Sequence, residues 1–270
     1  MPRPAATVLL VRDHPDPAPG HNPLQVFLQR RVAGMAFAGG MTVFPGGGVD
    51  ATDVPDPDAW QGPDPAWWAQ RLRCPPELAG ALVQAAVRET FEECGVLLAG
   101  ARSSQSGSNG PAAGAVATAR ADLVARRCTL GQLLADADLL LRADLLRPWA
   151  RWITPEGQPR RYDTAFFVAL LPTGQQADAH TTEAVEATWW HPEAALEQWE
   201  RGELQLMAPT IWNLRELAAQ PDSAAVLAAA ERRDVHPVTP RVIRRDGRRV
   251  VVLPGEPDVE FAAPAGGGPP

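Results

Sequence analysis

The stretch from Ala85 to Leu98, AAVRETFEECGVLL, limits this chain more than any other. It spaces Glu89, Glu92 and Glu93 at i, i+3 and i+4, positions that share one face of an α-helix. Val83, Val87 and Phe91 recur at i, i+4 and i+8, which predicts an apolar stripe turned to a core. Helix propensity gives no reason to crowd three acids, because like charges on one face repel. A hard divalent cation does give one, since Mg²⁺ and Mn²⁺ prefer oxygen ligands. Without such an ion, the same residues would form an ordinary solvated acidic face. Arg88 stands four residues before Glu92 and can orient its carboxylate. Gly95 is placed to end the helix. Cys94, with no basic partner beside it in sequence, is expected to be a small buried hydrophobe, not a nucleophile.

Upstream lies MTVFPGGGVD, Met41 to Asp50, a short strand run that closes in a glycine turn. Together the two pieces resemble the Nudix box, G-x5-E-x7-R-E-U-x-E-E-x-G-U, where U is aliphatic. Arg88, Glu89, Glu92, Glu93, Gly95 and Val96 fall in place, with Thr90 at the first aliphatic position. The first half matches only at Phe44 to Gly47, FPGG, and about thirty residues split it from the second half. The family's intervening glutamate belongs eight residues before Arg88, where this chain has Gly80. A split box that opens with FPGG is similar to the Nudix branch containing the mammalian peroxisomal coenzyme A diphosphatase. Relatives that hydrolyse coenzyme A carry L-L-T-x-R-[SA]-x3-R-x3-G-x3-F-P-G-G. Here Arg31, Gly40 and FPGG keep the register, while Gln29 replaces the threonine and Ala36 the second arginine.

The resemblance implies an α/β fold, the Nudix α/β/α sandwich with a mixed β-sheet, carrying an insert within the box and a C-terminal β-hairpin. It implies Mg²⁺ or Mn²⁺ held by Glu89, Glu92 and Glu93 with a backbone carbonyl of Gly46 or Gly47. The catalytic set is then Arg88, Glu89, Glu92 and Glu93, joined by one acid from a later loop, Glu183 or Glu186. Glu89 and Glu183 are the candidates for the base that takes the proton of an attacking water. Arg31, Arg160 and Arg161 are candidates to meet a phosphate. The implied reaction is hydrolysis of the pyrophosphate in a nucleoside diphosphate linked to another moiety, coenzyme A or acyl-coenzyme A first. ADP-ribose or NADH is the alternative substrate class. A non-catalytic binding module of the same fold is the alternative to an enzyme.

Net charge is −7, which argues against a nonspecific nucleic-acid or membrane-surface binder. A small anionic substrate needs only a metal and a few local arginines, so the expected partner is a nucleotide-linked diphosphate. Homodimerisation is left open. Three cysteines without C-x-x-C spacing read as free thiols, and the expected location is cytoplasmic. No apolar run reaches membrane-spanning length. His180 and His191 have no zinc-site spacing.

Along the chain, residues 1–220 read as the Nudix hydrolase domain. Ala5 to Arg12 and Leu24 to Arg31 predict an antiparallel strand pair. The insert, 51–79, is broken by prolines and aspartates around one short helix from Pro65, and its place beside the acidic helix suggests a lid. Trp60, Trp67 and Trp68 are expected to pack it onto the core. Residues 100–120 read as a flexible loop. Ala121 to Leu146 reads as helical, with Thr129 as an N-cap. Arg161 to Leu171 predicts a central strand, and Leu204 to Leu217 a proline-capped helix. Residues 221–262 read as a helix and hairpin, with Asp246-Gly247 at the turn. Its arginines suggest a solvated edge or a contact surface. Residues 263–270 read as a disordered tail.

Overall fold

The computed structural model describes residues 1–17, 22–34, 38–102, 113–179, 184–245, 248–253 and 256–262. The elements run in chain order β1 (Arg3–Asp13), β2 (Leu24–Arg31), β3 (Thr42–Val43), β4 (Gly46–Gly48) and β5 (Trp60–Gln61). Next come α1 (Pro65–Leu72), α2 (Pro76–Cys94), β6 (Ala99–Ala101), α3 (Ala113–Val124), α4 (Leu130–Asp136), β7 (Leu139–Arg142) and β8 (Leu146–Ile153). Then follow β9 (Tyr162–Leu170), β10 (Ala184–Trp190), α5 (Pro192–Glu200), α6 (Ala208–Ala218) and α7 (Ser223–Arg232). The chain closes with β11 (Pro237–Val238), β12 (Arg241–Arg245), β13 (Arg248–Leu253) and β14 (Glu256–Ala262).

The main sheet runs β10-β2-β1-β9-β8-β11, with β3 on β2 and β4 on β1. It is mixed, because β1 pairs antiparallel with β2 and parallel with β9. Side chains alternate across a strand, so both central strands serve two cores. Ala6, Val8 and Leu10 of β1, with Ala165, Phe167 and Ala169 of β9, face a cluster that includes Val83, Val87 and Phe91 of α2. Leu9 and Val11, with Phe166 and Val168, face Ala195 of α5, Ile211, Leu214 and Leu217 of α6, and Val226 and Ala230 of α7. The result is the expected α/β/α sandwich.

The insert docks onto the core through its tryptophans. Trp68 is fully buried, edge-on to Phe167 at 5.6 Å and to Trp67 at 4.9 Å. Arg71 of α1 donates to the carbonyls of Ala230, Glu231 and Arg233 at the C-terminal end of α7, so the insert also braces the C-terminal extension.

Three local expectations change. Leu139 to Arg142 is a strand, not helix: its buried and half-buried residues alternate, and it pairs with β5 and β6. The alanine-rich end of the 100–120 segment is helical, as α3, where alanine propensity is released by contact with α2. Residues 103–112 of that segment lie outside the described residues. The C-terminal hairpin gains a third strand, β14, on β13. Its turn, Asp246-Gly247, and the tail 263–270 lie outside the described residues. Among the described residues, no helix is long and apolar enough to cross a membrane.

Replacing Trp68 with alanine should cost about 3–5 kcal/mol of unfolding free energy, because it removes the largest buried side chain of the insert. Urea denaturation measures this; a loss below about 1 kcal/mol would mean the insert is not part of the core.

Candidate active site

Helix α2 begins at Pro76, within the insert, and ends at Cys94 with Gly95 in the left-handed conformation as its C-cap. This length carries Arg88, Glu89, Glu92 and Glu93 as one rigid face beside the glycine strand β4. Arg88 is 8% exposed and is the hub of the face. Its Nη1 donates to Glu89 Oε1 at 2.8 Å and lies 3.5 Å from Glu92 Oε1, and its Nη2 donates to the carbonyl of Gly48 at 2.9 Å. Nε and Nη2 also donate to the two oxygens of Asp53, both at 2.8 Å. Burial works against the Arg88 charge, but the bonds to Asp53 and the facing carboxylates outweigh it and raise its pKa.

Glu93 is held from the other side. Its Oε2 accepts from the backbone N–H of Gly46 at 2.7 Å and from the Gln29 amide, and its Oε1 lies 3.9 Å from Arg31 Nη1. Gln29 and Phe27 share the face of β2 turned to α2, which brings the amide there. One of the two residues that break the coenzyme A signature thus sits directly on a site carboxylate. Burial, then the nearby charge of Glu89, pushes the Glu93 pKa well above the usual carboxylate range. Burial also raises Glu92, with Arg88 opposing.

The glycines of β4 are demanded by close approach. A Cβ at Gly47 would stand 2.4 Å from Glu89 Oε1, and one at Gly46 would stand 2.4 Å from the Ala6 carbonyl. Sequence reasoning placed Gly46 and Gly47 here for their carbonyls; the N–H of Gly46 is what meets Glu93.

A cavity of about 540 Å³ opens beside this face. Its floor is the register row Ala5, Thr164 and Trp152, with Thr7 and Phe166 beside it. Its walls are Met207 to Thr210 at the start of α6, Pro240 just before β12, and Val242 and Val251 of the C-terminal sheet. Gly46 to Gly48, Glu89, Glu93, Arg31 and Arg160 line it as well. One cavity therefore combines these charged side chains with a mostly apolar lining.

The sequence-derived candidates separate accordingly. Arg31 and Arg160 reach the cavity, whereas Arg161 does not line it and donates to the Thr154 carbonyl at 3.0 Å. Glu186 stands in an exposed ion pair with Arg30 at 3.2 Å and does not line the cavity. Glu183, His180 and Ala36 lie outside the described residues. His191 is the N-cap residue of α5. Cys94 is buried, its thiol pushed up to about 12 by burial, which makes it inert at neutral pH. No residue of 51–79 lines the cavity, so the insert is no lid over it: its tryptophans carry it onto the core beside α2.

Three contributors escaped sequence reasoning. Asp53 is an aspartate in a loop full of them, and only its 3% exposure marks it. Val242 and Val251 read as an edge hairpin until the fold brings them to the cavity.

The model for the NUDT19 Nudix domain matches residues 69–217, more than half of the chain. This chain belongs to the NUDT19 Nudix family. It is similar to the acyl-coenzyme A diphosphatase NUDT19 of Gallus gallus, 29% identical over 80% of this chain and 68% of that protein. A Caenorhabditis elegans protein similar to this chain is 29% identical over 73% of this chain and 57% of its own length. This chain thus spans little more than half of that relative. A solved Nudix hydrolase from Alicyclobacillus acidocaldarius superposes with a TM-score of 0.67 at 28% identity, over 84% of this chain and 96% of that one.

The donor set suits a hard cation, because three glutamates and a glycine strand offer only oxygen ligands. Among the described residues no group of three His, Cys, Asp or Glu side chains is placed to hold a metal ion as it stands. Arg88, Gln29 and Gly46 hold the carboxylates instead.

A carboxyl with a raised folded-state pKa contributes stability at acid pH and loses it as pH rises through that value. The metal-free protein should therefore lose thermal stability as pH climbs above the ordinary carboxylate range. Mn²⁺ binding requires the deprotonated forms, so its stabilisation should grow with pH. Melting curves with and without Mn²⁺ across a pH series test this. A metal-induced gain that shrinks toward alkaline pH would contradict it.

Proposed function

We propose that this protein hydrolyses the pyrophosphate bond of coenzyme A or acyl-coenzyme A with the help of Mg²⁺ or Mn²⁺. The observation that carries the reading is the single cavity that joins Glu89 and Glu93 to an apolar body walled by Trp152, Phe166, Met207 and Val251. An acyl-coenzyme A presents that same sequence of chemistry: anionic diphosphate, then a long weakly polar arm. The family membership, and the activity for which the chicken relative is named, support the same class.

Glu89, Glu92 and Glu93 would hold the ion, which supplies charge neutralisation at the diphosphate and a more acidic water. Arg31 and Arg160 line the cavity and would bind phosphate oxygens. Arg88 keeps Glu89 and Glu92 in place. Glu89, or Glu183 from the later loop, would take the proton of the attacking water. The water oxygen bonds to one phosphorus as the bridging oxygen leaves on the other. The products are adenosine 3′,5′-bisphosphate and a phosphopantetheine or its acyl ester. ADP-ribose or NADH is the second reading, favoured by the incomplete coenzyme A signature at Gln29 and Ala36.

The test is a Mg²⁺-dependent hydrolysis screen over coenzyme A, acetyl-coenzyme A, ADP-ribose and NADH. Coenzyme A compounds should be cleaved selectively, and Glu92→Gln should lower kcat by at least about 100-fold with the fold intact. Preference for ADP-ribose or NADH would replace the substrate class, and silence across the panel would favour a binding module. Val251→Asp, which places a charge in the apolar wall, should raise KM for a long-chain acyl-coenzyme A by about 10-fold and leave ADP-ribose turnover nearly unchanged. Equal effects on both would remove the wall from substrate recognition.

A further inference from the structure

The box position that the family fills with glutamate is not simply vacant here. A Cβ at Gly80 would stand 2.5 Å from Pro55 Cγ and 3.3 Å from Pro65 Cγ. The insert has taken the space into which a side chain at 80 would project. That same insert delivers Asp53, 35 residues before Arg88, with its side chain 1% exposed. Both Asp53 oxygens accept from Arg88 at 2.8 Å, and Oδ2 also accepts from the Asp50 N–H at 2.7 Å.

We propose that Asp53 is the positioning residue of this active site, an acid supplied by the insert in place of the box glutamate that position 80 cannot accommodate. The inference rests on reading Glu89 and Glu92 as ligands of a divalent cation. A guanidinium has two edges that can grip a carboxylate in a fork. Asp53 occupies the Nε–Nη2 edge, and Gly48 O takes a further Nη2 bond. Only Nη1 is left to reach Glu89 and Glu92. Without the Asp53 charge, the whole fork is available to close on Glu89, which would turn the bond that Glu89 now accepts from Nη1 into a two-bond grip. Asp53 thus keeps Arg88 oriented toward the ligands while limiting it to Nη1 contacts with them. The insert, by this account, is a structural part of the metal site and not a substrate lid.

The experiment is Mn²⁺ titration of the full chain, followed by electron paramagnetic resonance of the free ion, for wild type, Asp53→Asn, Arg88→Gln and the double variant. Glu92→Gln serves as the ligand control, and circular dichroism checks the fold. Asp53→Asn should weaken Mn²⁺ binding by about 10–100-fold. Wherever wild type turns over, kcat should fall by a similar factor and KM should move less than about threefold. In the Arg88→Gln background the Asp53 change should add less than about twofold, because its action runs through that arginine. Wild-type Mn²⁺ affinity in Asp53→Asn, or losses that multiply in the double variant, would overturn the proposal. Asp53→Ser is the second variant should the asparagine not fold. Failure of both to fold would reduce Asp53 to a folding role and overturn it too. Absence of Mn²⁺ binding in wild type would instead overturn the metal site itself, and the proposal with it.

Discussion

One buried cation holds this site together. Arg88 is 8% exposed and faces Asp53, Glu89, Glu92 and a backbone carbonyl at once. An arginine withdrawn from water with a single partner would be a liability, because desolvation of both charges can exceed their attraction. Here several acceptors share one guanidinium, so the charge is compensated and its direction fixed. Removing a partner from such a buried pair typically costs about 3–5 kcal/mol. The same bonds tie three chain segments: the insert through Asp53, the glycine strand through Gly48, and the helix through Glu89 and Glu92.

That hub explains why the surrounding backbone is so constrained. Glycine at 47 lets the Glu89 carboxylate lie against the strand, and glycine at 46 lets the strand lie against Ala6 and Thr7. The Gly46 N–H then reaches Glu93, which Gln29 meets from β2. Helix, glycine strand and sheet thus converge through short polar contacts at one end of the cavity. The apolar remainder of that cavity is built largely by β8, β9, the start of α6 and the C-terminal sheet. Its charged lining comes from Glu89 and Glu93 of α2, Arg31 of β2 and Arg160 just before β9.

The helix and its chemistry were legible because both periodicities fall within one short segment. Acids at 89, 92 and 93 and apolar residues at 83, 87 and 91 can be placed on opposed faces from spacing alone. The strand pair β1–β2, the central β9, the short helix at Pro65 and the Thr129 cap were readable for the same local reason. Reading failed where a long-range contact outweighed local preference. Leucine-rich Leu139 to Arg142 has helical composition, yet becomes a strand because β5 and β6 offer it partners on both edges. Asp53 looked like one more loop acid because its partner lies 35 residues away.

The sequence by itself therefore determined the amphipathic helix, the acids it presents, the glycine turn that must face them, and the α/β character of the chain. These follow from period, side-chain type and the resemblance those residues carry. Tertiary structure alone decided which acid holds Arg88 and which of Arg31, Arg160 and Arg161 reach the cavity. It also decided that the insert braces the helix, and that the last strands wall the cavity. The physical reason is that burial and pairing are properties of neighbours in space. A carboxylate, an arginine or a valine has the same local signature whether it meets water, a cation or a substrate.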